Sequence, residues 1–325
     1  MIPTPSPPPE TPSGFALLVA ASKLHDPRVL ADLVESYASP LRALGGRSWE
    51  PGAARPAGPL VVFVATGGTE RQILEGAGFD AREPVLIVAH PGQNSLPASL
   101  EVLARLQQLG IRGRIHYLRG PGDAAGLEEL ALAIGDGRVR RRLIESRIGR
   151  VGEPSDWLVA SSPTAETVAA VWGPTVVPIA LESILAAPDE RIAAAGEAIA
   201  RDFRAGAAAL VEPAEADLPA AGHVHALLRR VVEAERLDAV AVRCFDLVTR
   251  RRNTGCIALA QLNDEGVIAG CEGDLVATVA MLWVHRMLGT IPWMANPSRV
   301  DPERGVLTLA HCTVPRGLSG EYRLR

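Results

Sequence analysis

From Phe15 onward, short apolar runs alternate with stretches whose apolar positions recur at helical spacing. "FALLVAAS" (15–22), "LVVFVAT" (60–66), "PVLIVAH" (84–90) and "RIHYLRG" (114–120) read as strands, with helices near 27–44, 69–76 and 96–110 and one running to about 135. Runs of this length without polar alternation suit strands covered on both faces, which is the habit of a parallel sheet. The pattern resumes near Arg147, with strands expected at "WLVAS" (157–161), "TVVPIA" (175–180) and "DAVAVRCF" (238–245), and helices near 188–210 and 222–236. "LVATVAMLWV" opens a helix over 275–288 that should stop at Gly289, and "IPWMA" (291–295) and "GVLTLAHCTV" (305–314) read as strands. The expectation is an α/β protein: two doubly wound, Rossmann-like parallel-sheet domains, 15–146 and 147–290, followed by a short β-rich segment, 291–325.

Composition narrows this picture. The opening "MIPTPSPPPETPSG" is too rich in proline for an apolar signal core and reads as a disordered tail over 1–14. A net charge of -4 over 325 residues, with both signs interspersed, gives no basic footprint for nucleic acid or a membrane surface. Small-molecule chemistry in the cytoplasm is therefore expected. The four cysteines, Cys244, Cys256, Cys271 and Cys312, lack CxxC spacing and sit in apolar stretches, which suits reduced thiols.

Several polar clusters interrupt the apolar pattern. "TGGTE" (66–70) could cradle a phosphate, or could be a tight turn with Thr69 capping the next helix. In "HPGQNSLPAS" (90–99), Asn94 and Ser95 stand where open α/β sheets bind ligands, although Ser95 also fits an ordinary N-cap. Trp157 offers an aromatic platform for a sugar ring, or a packed anchor before a strand. The densest cluster is "LNDEGVIAGCEGD" (262–274), with Asp264, Glu265, Glu272 and Asp274 close to an apolar helix. Asp274 has the position of an N-cap, yet capping does not require Glu272. His311, toward the end of the 305–314 strand, adds an imidazole; carboxylates with one imidazole suit Mn²⁺ or Mg²⁺.

Taken together, "TGGTE", "HPGQNSLPASLEVLA", "GEPSDWLVASS", "LNDEGVIAGCEGDLVATVAML" and "GVLTLAHCTVP" resemble the L-fucose isomerase and L-arabinose isomerase superfamily. The resemblance implies aldose–ketose interconversion of a small sugar through an enediol, with Mn²⁺ or another divalent cation holding the sugar oxygens, in a homo-oligomer. It makes Asp274, Glu272 and Glu265 the catalytic carboxylates, Asp274, Glu265 and His311 the metal ligands, and Asn94, Ser95, Trp157 and Asn263 the sugar contacts. Where that family carries a glutamate before Leu-Asn, this sequence has Leu259, Ala260 and Gln261, so Glu265 has to serve as the partner. The C-terminal β-domain is expected to be much reduced. A non-catalytic sugar-binding module and a phosphosugar or nucleotide enzyme using the 66–70 loop are the alternative expectations.

Overall fold

The computed structural model describes residues 14–24 and 26–325, so nearly all of the proline-rich tail lies outside the described residues. The described residues divide into two compact units, 14–142 and 143–325.

The N-terminal unit runs β1 (Phe15–Ala20), α1 (Pro27–Ala43), β2 (Gly46–Ser48), β3 (Leu60–Val64), α2 (Glu70–Gly76), β4 (Val85–Ala89), α3 (Ser95–Gln108), β5 (Gly113–Tyr117) and α4 (Ala124–Glu145). Its five strands form one parallel sheet in the order β2-β1-β3-β4-β5. Alternate residues feed opposite faces. Ala16, Leu18, Val62, Val64, Val85 and Ile87 pack with Ile73, Val102 and Leu106 of α2 and α3. Phe15, Leu17, Val61, Phe63, Leu86 and Val88 pack with Tyr37 and Leu41 of α1 and Leu130 and Ile134 of α4. Burying both faces is why β1, β3 and β4 are apolar at every position.

The C-terminal unit runs β6 (Arg147–Val151), α5 (Ala165–Val171), β7 (Thr175–Ile179), α6 (Glu182–Leu185), α7 (Glu190–Gly206), β8 (Ala209–Leu210), α8 (Leu218–Glu235), β9 (Ala239–Val242), α9 (Phe245–Arg251), α10 (Cys256–Asp264), β10 (Ile268–Gly270) and α11 (Leu275–Leu288). It closes with β11 (Asn296–Asp301), β12 (Val306–Ala310), α12 (Arg316–Ser319) and β13 (Arg323–Leu324). Its main sheet is parallel, β10-β9-β6-β7, β11 and β12 form an antiparallel hairpin, and β13 pairs with β8. The core gathers Val151, Val240 and Val242 from the strands, Leu227, Leu228 and Val231 from α8, and Leu259 and Leu262 from α10. Among the described residues no helix is long and apolar enough to cross a membrane.

Two expected strands are absent. Residues 157–161 form a turn, with Leu158 N–H donating to Ser155 and Val159 N–H to Trp157, and Val159 is 91% exposed. An apolar run without a neighbour to cover it does not enter the sheet; the half-polar "RIGRV" forms β6 instead because β7 and β9 flank it. Residues 291–295 are likewise irregular, and the hairpin begins at Asn296. The helix 275–288 ends as expected on Gly289, whose φ of 66° suits a residue without a side chain.

Candidate functional site

Strand order locates the crevices. In the C-terminal sheet the chain leaves β6 toward β7 on one side and later returns to β9 and β10 on the other, so the direction reverses between β6 and β9. Loops at the carboxyl ends of strands flanking such a reversal part from one another and leave room for a ligand. Here those loops are 152–158 after β6 and Arg243 to Cys244 after β9, with Cys271 to Asp274 after the neighbouring β10 beside them.

Backbone hydrogen bonds bind these loops together. Ser155 N–H donates to Glu272 O at 2.9 Å, Gly273 N–H to Val242 O at 2.9 Å, and Asp274 N–H to Cys271 O at 3.0 Å. Arg243 donates to Pro154 O at 2.6 Å and to Asp246 at 2.8 Å. At Gly273, with φ of 71°, an added Cβ would stand 2.9 Å from Pro154 Cα, so the close approach of the two loops requires glycine. Glu272 also adopts a left-handed backbone, φ 62°, which is uncommon for a residue with a side chain and recurs at functional sites. Its carboxylate accepts a hydrogen bond from Trp157 Nε1. Trp157 is 57% exposed and meets Phe245 edge-on at 5.0 Å, so it is a surface platform and not a packed anchor.

Glu272, Phe245, His311 and the four cysteines line a cavity of about 210 Å³. A larger one, about 780 Å³, shares His311, Cys256 and Cys312 and carries Arg252, Arg323 and Arg325 on its wall. His311 Nδ1 is 2.9 Å from Thr313 Oγ1 and 4.0 Å from Cys312 Sγ. The Cys312 thiol beside it and the Glu272 charge hold the His311 proton to higher pH than an ordinary histidine, against the effect of burial. Cys312 is shifted down by its Cys256, Cys271 and His311 neighbours.

Asp274 is buried and caps α11, its Oδ1 accepting from Ala277 N–H at 2.8 Å. Burial raises its pKa and the Glu272 charge adds to that, while hydrogen bonds from Ala277, Val276 and Ser161 oppose it. Asp274 lines neither cavity; Glu272 lines the smaller one and Asp217 the larger.

The remaining residues singled out in the sequence have other surroundings. Glu265 stands 3.0 Å from His225 Nε2 and 3.5 Å from Arg229, and accepts from Gln261 at 2.8 Å. Burial works to raise its pKa, and His225, Gln261 and Arg229 outweigh burial and leave it lowered. Asn263 bonds the backbone of Leu259 and, twice, of Ala269, which fixes the turn from α10 to β10. Asp264 accepts from the backbone N–H groups of Arg316 and Gly317. In the N-terminal unit, Ser95 Oγ donates to Val64 O and accepts from His90 N–H, and the N-cap of α3 is Asn94, with φ of 55° and no side-chain capping bond. Thr69 stands at the N-cap of α2, but its hydroxyl donates to Thr66 O and makes no capping bond.

Among the described residues no group of three or more His, Cys, Asp or Glu side chains is arranged to hold a metal ion. The side chains present therefore do not form the Mn²⁺ set that the sequence resemblance implies. The convergence of all four cysteines was invisible in the sequence, because they come from four separate segments without motif spacing.

No family model matches the chain. It is similar to proteins named sulfoquinovose isomerase: 25% identical over 87 residues to those of Priestia aryabhattai and Priestia megaterium, 26% of this chain and 20% of theirs. A third, from a Clostridium species, is 28% identical over 82 residues, 25% of this chain and 18% of the relative. The chain thus matches about a fifth of the length of these curated relatives.

Proposed function

We propose that the protein is a ketol isomerase related to the L-fucose and L-arabinose isomerases, acting on a monosaccharide at the carboxyl ends of β6, β9 and β10. The observation that carries this reading is Glu272, held in a left-handed turn with Trp157 N–H on its carboxylate, on the wall of the same cavity as His311. Glu272 is the base that removes the proton at C2 of an open-chain aldose and returns it to C1. His311, which keeps its proton readily, donates it to the C1 carbonyl oxygen as negative charge develops there, so stabilising the enediol, and then takes the proton of the C2 hydroxyl as the C2 carbonyl forms. Trp157 and Phe245 supply an aromatic face for the ring carbons. Asp274 sets the turn that aims Glu272, and its charge couples to that of Glu272. Arg252, Arg323 and Arg325 give the larger cavity a cationic wall suited to an anionic substituent on the sugar. The relatives' names make sulfoquinovose the first substrate to try. We include self-association in the proposal, since Val300, Val306, Leu307 and Leu309 of the β11–β12 hairpin are all exposed.

The test is deuterium exchange in heavy water: the full chain is mixed with sulfoquinovose, L-fucose or L-arabinose, with and without Mn²⁺, and loss of the C2 proton signal is followed by NMR. Exchange with at least one sugar, abolished in Glu272→Gln, is expected. Sugar binding without exchange would replace the isomerase with a non-catalytic sugar-binding protein, and exchange that survives in Glu272→Gln would remove Glu272 from the mechanism. Exchange that appears only with Mn²⁺ would show that sugar and ion assemble a site together.

A further inference from the structure

All four cysteines of the chain converge, and they do so in two pairs. Cys244 Sγ and Cys271 Sγ are 2.8 Å apart, and Cys256 Sγ and Cys312 Sγ are 3.0 Å apart. Both separations are inside ordinary sulfur–sulfur contact and longer than the ~2.05 Å of a disulfide bond, and all four are free thiols. The pairs come from different places in the chain: Cys244 lies in the loop after β9, Cys271 begins the turn after β10, Cys256 opens α10, and Cys312 follows β12. The two pairs also meet, through the neighbouring thiols of Cys271 and Cys312. Closure two by two distinguishes the cluster from a tetrathiolate metal centre, whose ion would space all four sulfurs evenly at ~2.3 Å from itself.

The pairs differ in access. Cys244 and Cys271 are buried, at 6% and 3% exposure, whereas Cys312 is exposed and Cys256 half-buried. An oxidant as large as a disulfide reaches the outer pair first. His311, 4.0 Å from Cys312 Sγ, stands beside the accessible sulfur.

We propose that Cys312–Cys256 and Cys271–Cys244 form a two-stage dithiol relay that takes oxidising equivalents from a low-molecular-weight disulfide and passes them from the surface pair to the buried pair. In the first stage the Cys312 thiolate attacks the external disulfide, forming a mixed disulfide and releasing one thiolate. Cys256 then attacks Cys312 Sγ, closing Cys256–Cys312 and releasing the second thiolate. Two protein thiols have lost two electrons and two protons, and the external disulfide has been reduced to two thiols. In the second stage Cys271 attacks Cys312 Sγ and frees Cys256. Cys244 then attacks Cys271 Sγ and frees Cys312, leaving a buried Cys244–Cys271 disulfide and a surface dithiol ready for a second equivalent. Full oxidation ties the loop after β9 to the turn that holds Glu272, and the start of α10 to the segment that holds His311. This inference stands on the sulfur positions and does not depend on the isomerase reading.

The experiment uses the full chain, purified reduced under anaerobic conditions and then exposed to excess glutathione disulfide. Samples are alkylated at intervals and mapped by peptide mass spectrometry, and bound metal is measured on the same preparation. Expected are Cys256–Cys312 linked first, Cys244–Cys271 later, and a mass loss of two hydrogens for each pair. Cys312→Ser should slow formation of Cys244–Cys271 by about tenfold or more, since the buried pair then loses its route to the oxidant. Cys244→Ser should leave Cys256–Cys312 closing at the wild-type rate. Thermal melting of each variant separates a slowed relay from a failure to fold, and wild-type mapping stands without any variant. Crossed pairings that remain once oxidation is complete, four thiols that stay reduced in excess oxidant, unslowed inner oxidation in folded Cys312→Ser, or stoichiometric metal blocking the thiols would each overturn the proposal.

Discussion

The two parallel sheets each reverse their winding once, and they treat the crevice there in opposite ways. In the N-terminal sheet the reversal falls between β1 and β3, and the polar groups around it are bonded to their own fold. Ser22 N–H donates to Thr66 Oγ1 at 2.8 Å, Thr69 to Thr66 O, and Gly67 N–H to Gln93 O at 2.8 Å. An added Cβ on Gly67 would stand 2.9 Å from Asn94 Cβ, so Gly67 lets two loops touch. In the C-terminal sheet the corresponding loops are held by backbone bonds, which leaves a carboxylate, an imidazole and four thiols on cavity walls. Polar side chains at a strand end thus hold the fold or meet a ligand, according to whether the backbone of the neighbouring loops has found its partners without them.

The comparison can be tested where it is sharpest. The largest effect is expected at Gly273→Ala, where a left-handed backbone and the approach of Pro154 coincide: a loss of about 2–3 kcal/mol, read by urea unfolding, together with loss of C2 exchange. Ser95→Ala should cost about 1–3 kcal/mol, because His90 N–H and Val64 O lose a buried partner, yet leave C2 exchange unchanged. A Ser95 variant that keeps its stability and loses exchange would reverse the assignment of the two crevices.

Asp274 should separate capping from chemistry. Asp274→Ala loses the cap of α11, about 1 kcal/mol, whereas Asp274→Asn keeps a capping oxygen and changes stability by no more than about 0.5 kcal/mol. Both should slow exchange, because both remove the charge that couples to Glu272. Equal exchange rates in wild type and Asp274→Asn would reduce Asp274 to a cap.

The smallest effect is at Glu265. Its folded pKa lies below the ordinary value, so the stability it contributes is present above the unfolded pKa of about 4.3 and is lost as pH falls through the lower folded value. Glu265→Gln should therefore flatten the decline of stability in that acid window and leave the slope near neutrality alone, as measured by thermal melting across pH. An unchanged acid slope would mean that the His225 and Arg229 contacts add nothing to stability.

Much of the architecture was legible in the sequence for a local reason. A strand buried on both faces is apolar throughout, and a helix on such a sheet is apolar on one side, so β1, β3, β4, β9 and α11 are written in composition and period alone. The reading failed at 157–161, where an apolar run is not buried, since burial depends on neighbours distant in sequence. The acidic segment before α11 was visible as an anomaly of charge, but its division of labour was not. Asp274 faces the helix it caps and Glu272 faces the cavity because a left-handed turn rotates consecutive side chains apart, a dihedral that composition does not encode. The cysteines mark the limit most plainly. The sequence by itself determined that four thiols lie in the last quarter of the chain and that the elements around them form a parallel α/β sheet; only tertiary structure decided that β9, β10, α10 and the end of β12 bring those thiols together two by two. Secondary structure follows from interactions a few residues long, whereas a site is assembled where chain ends of separate strands meet.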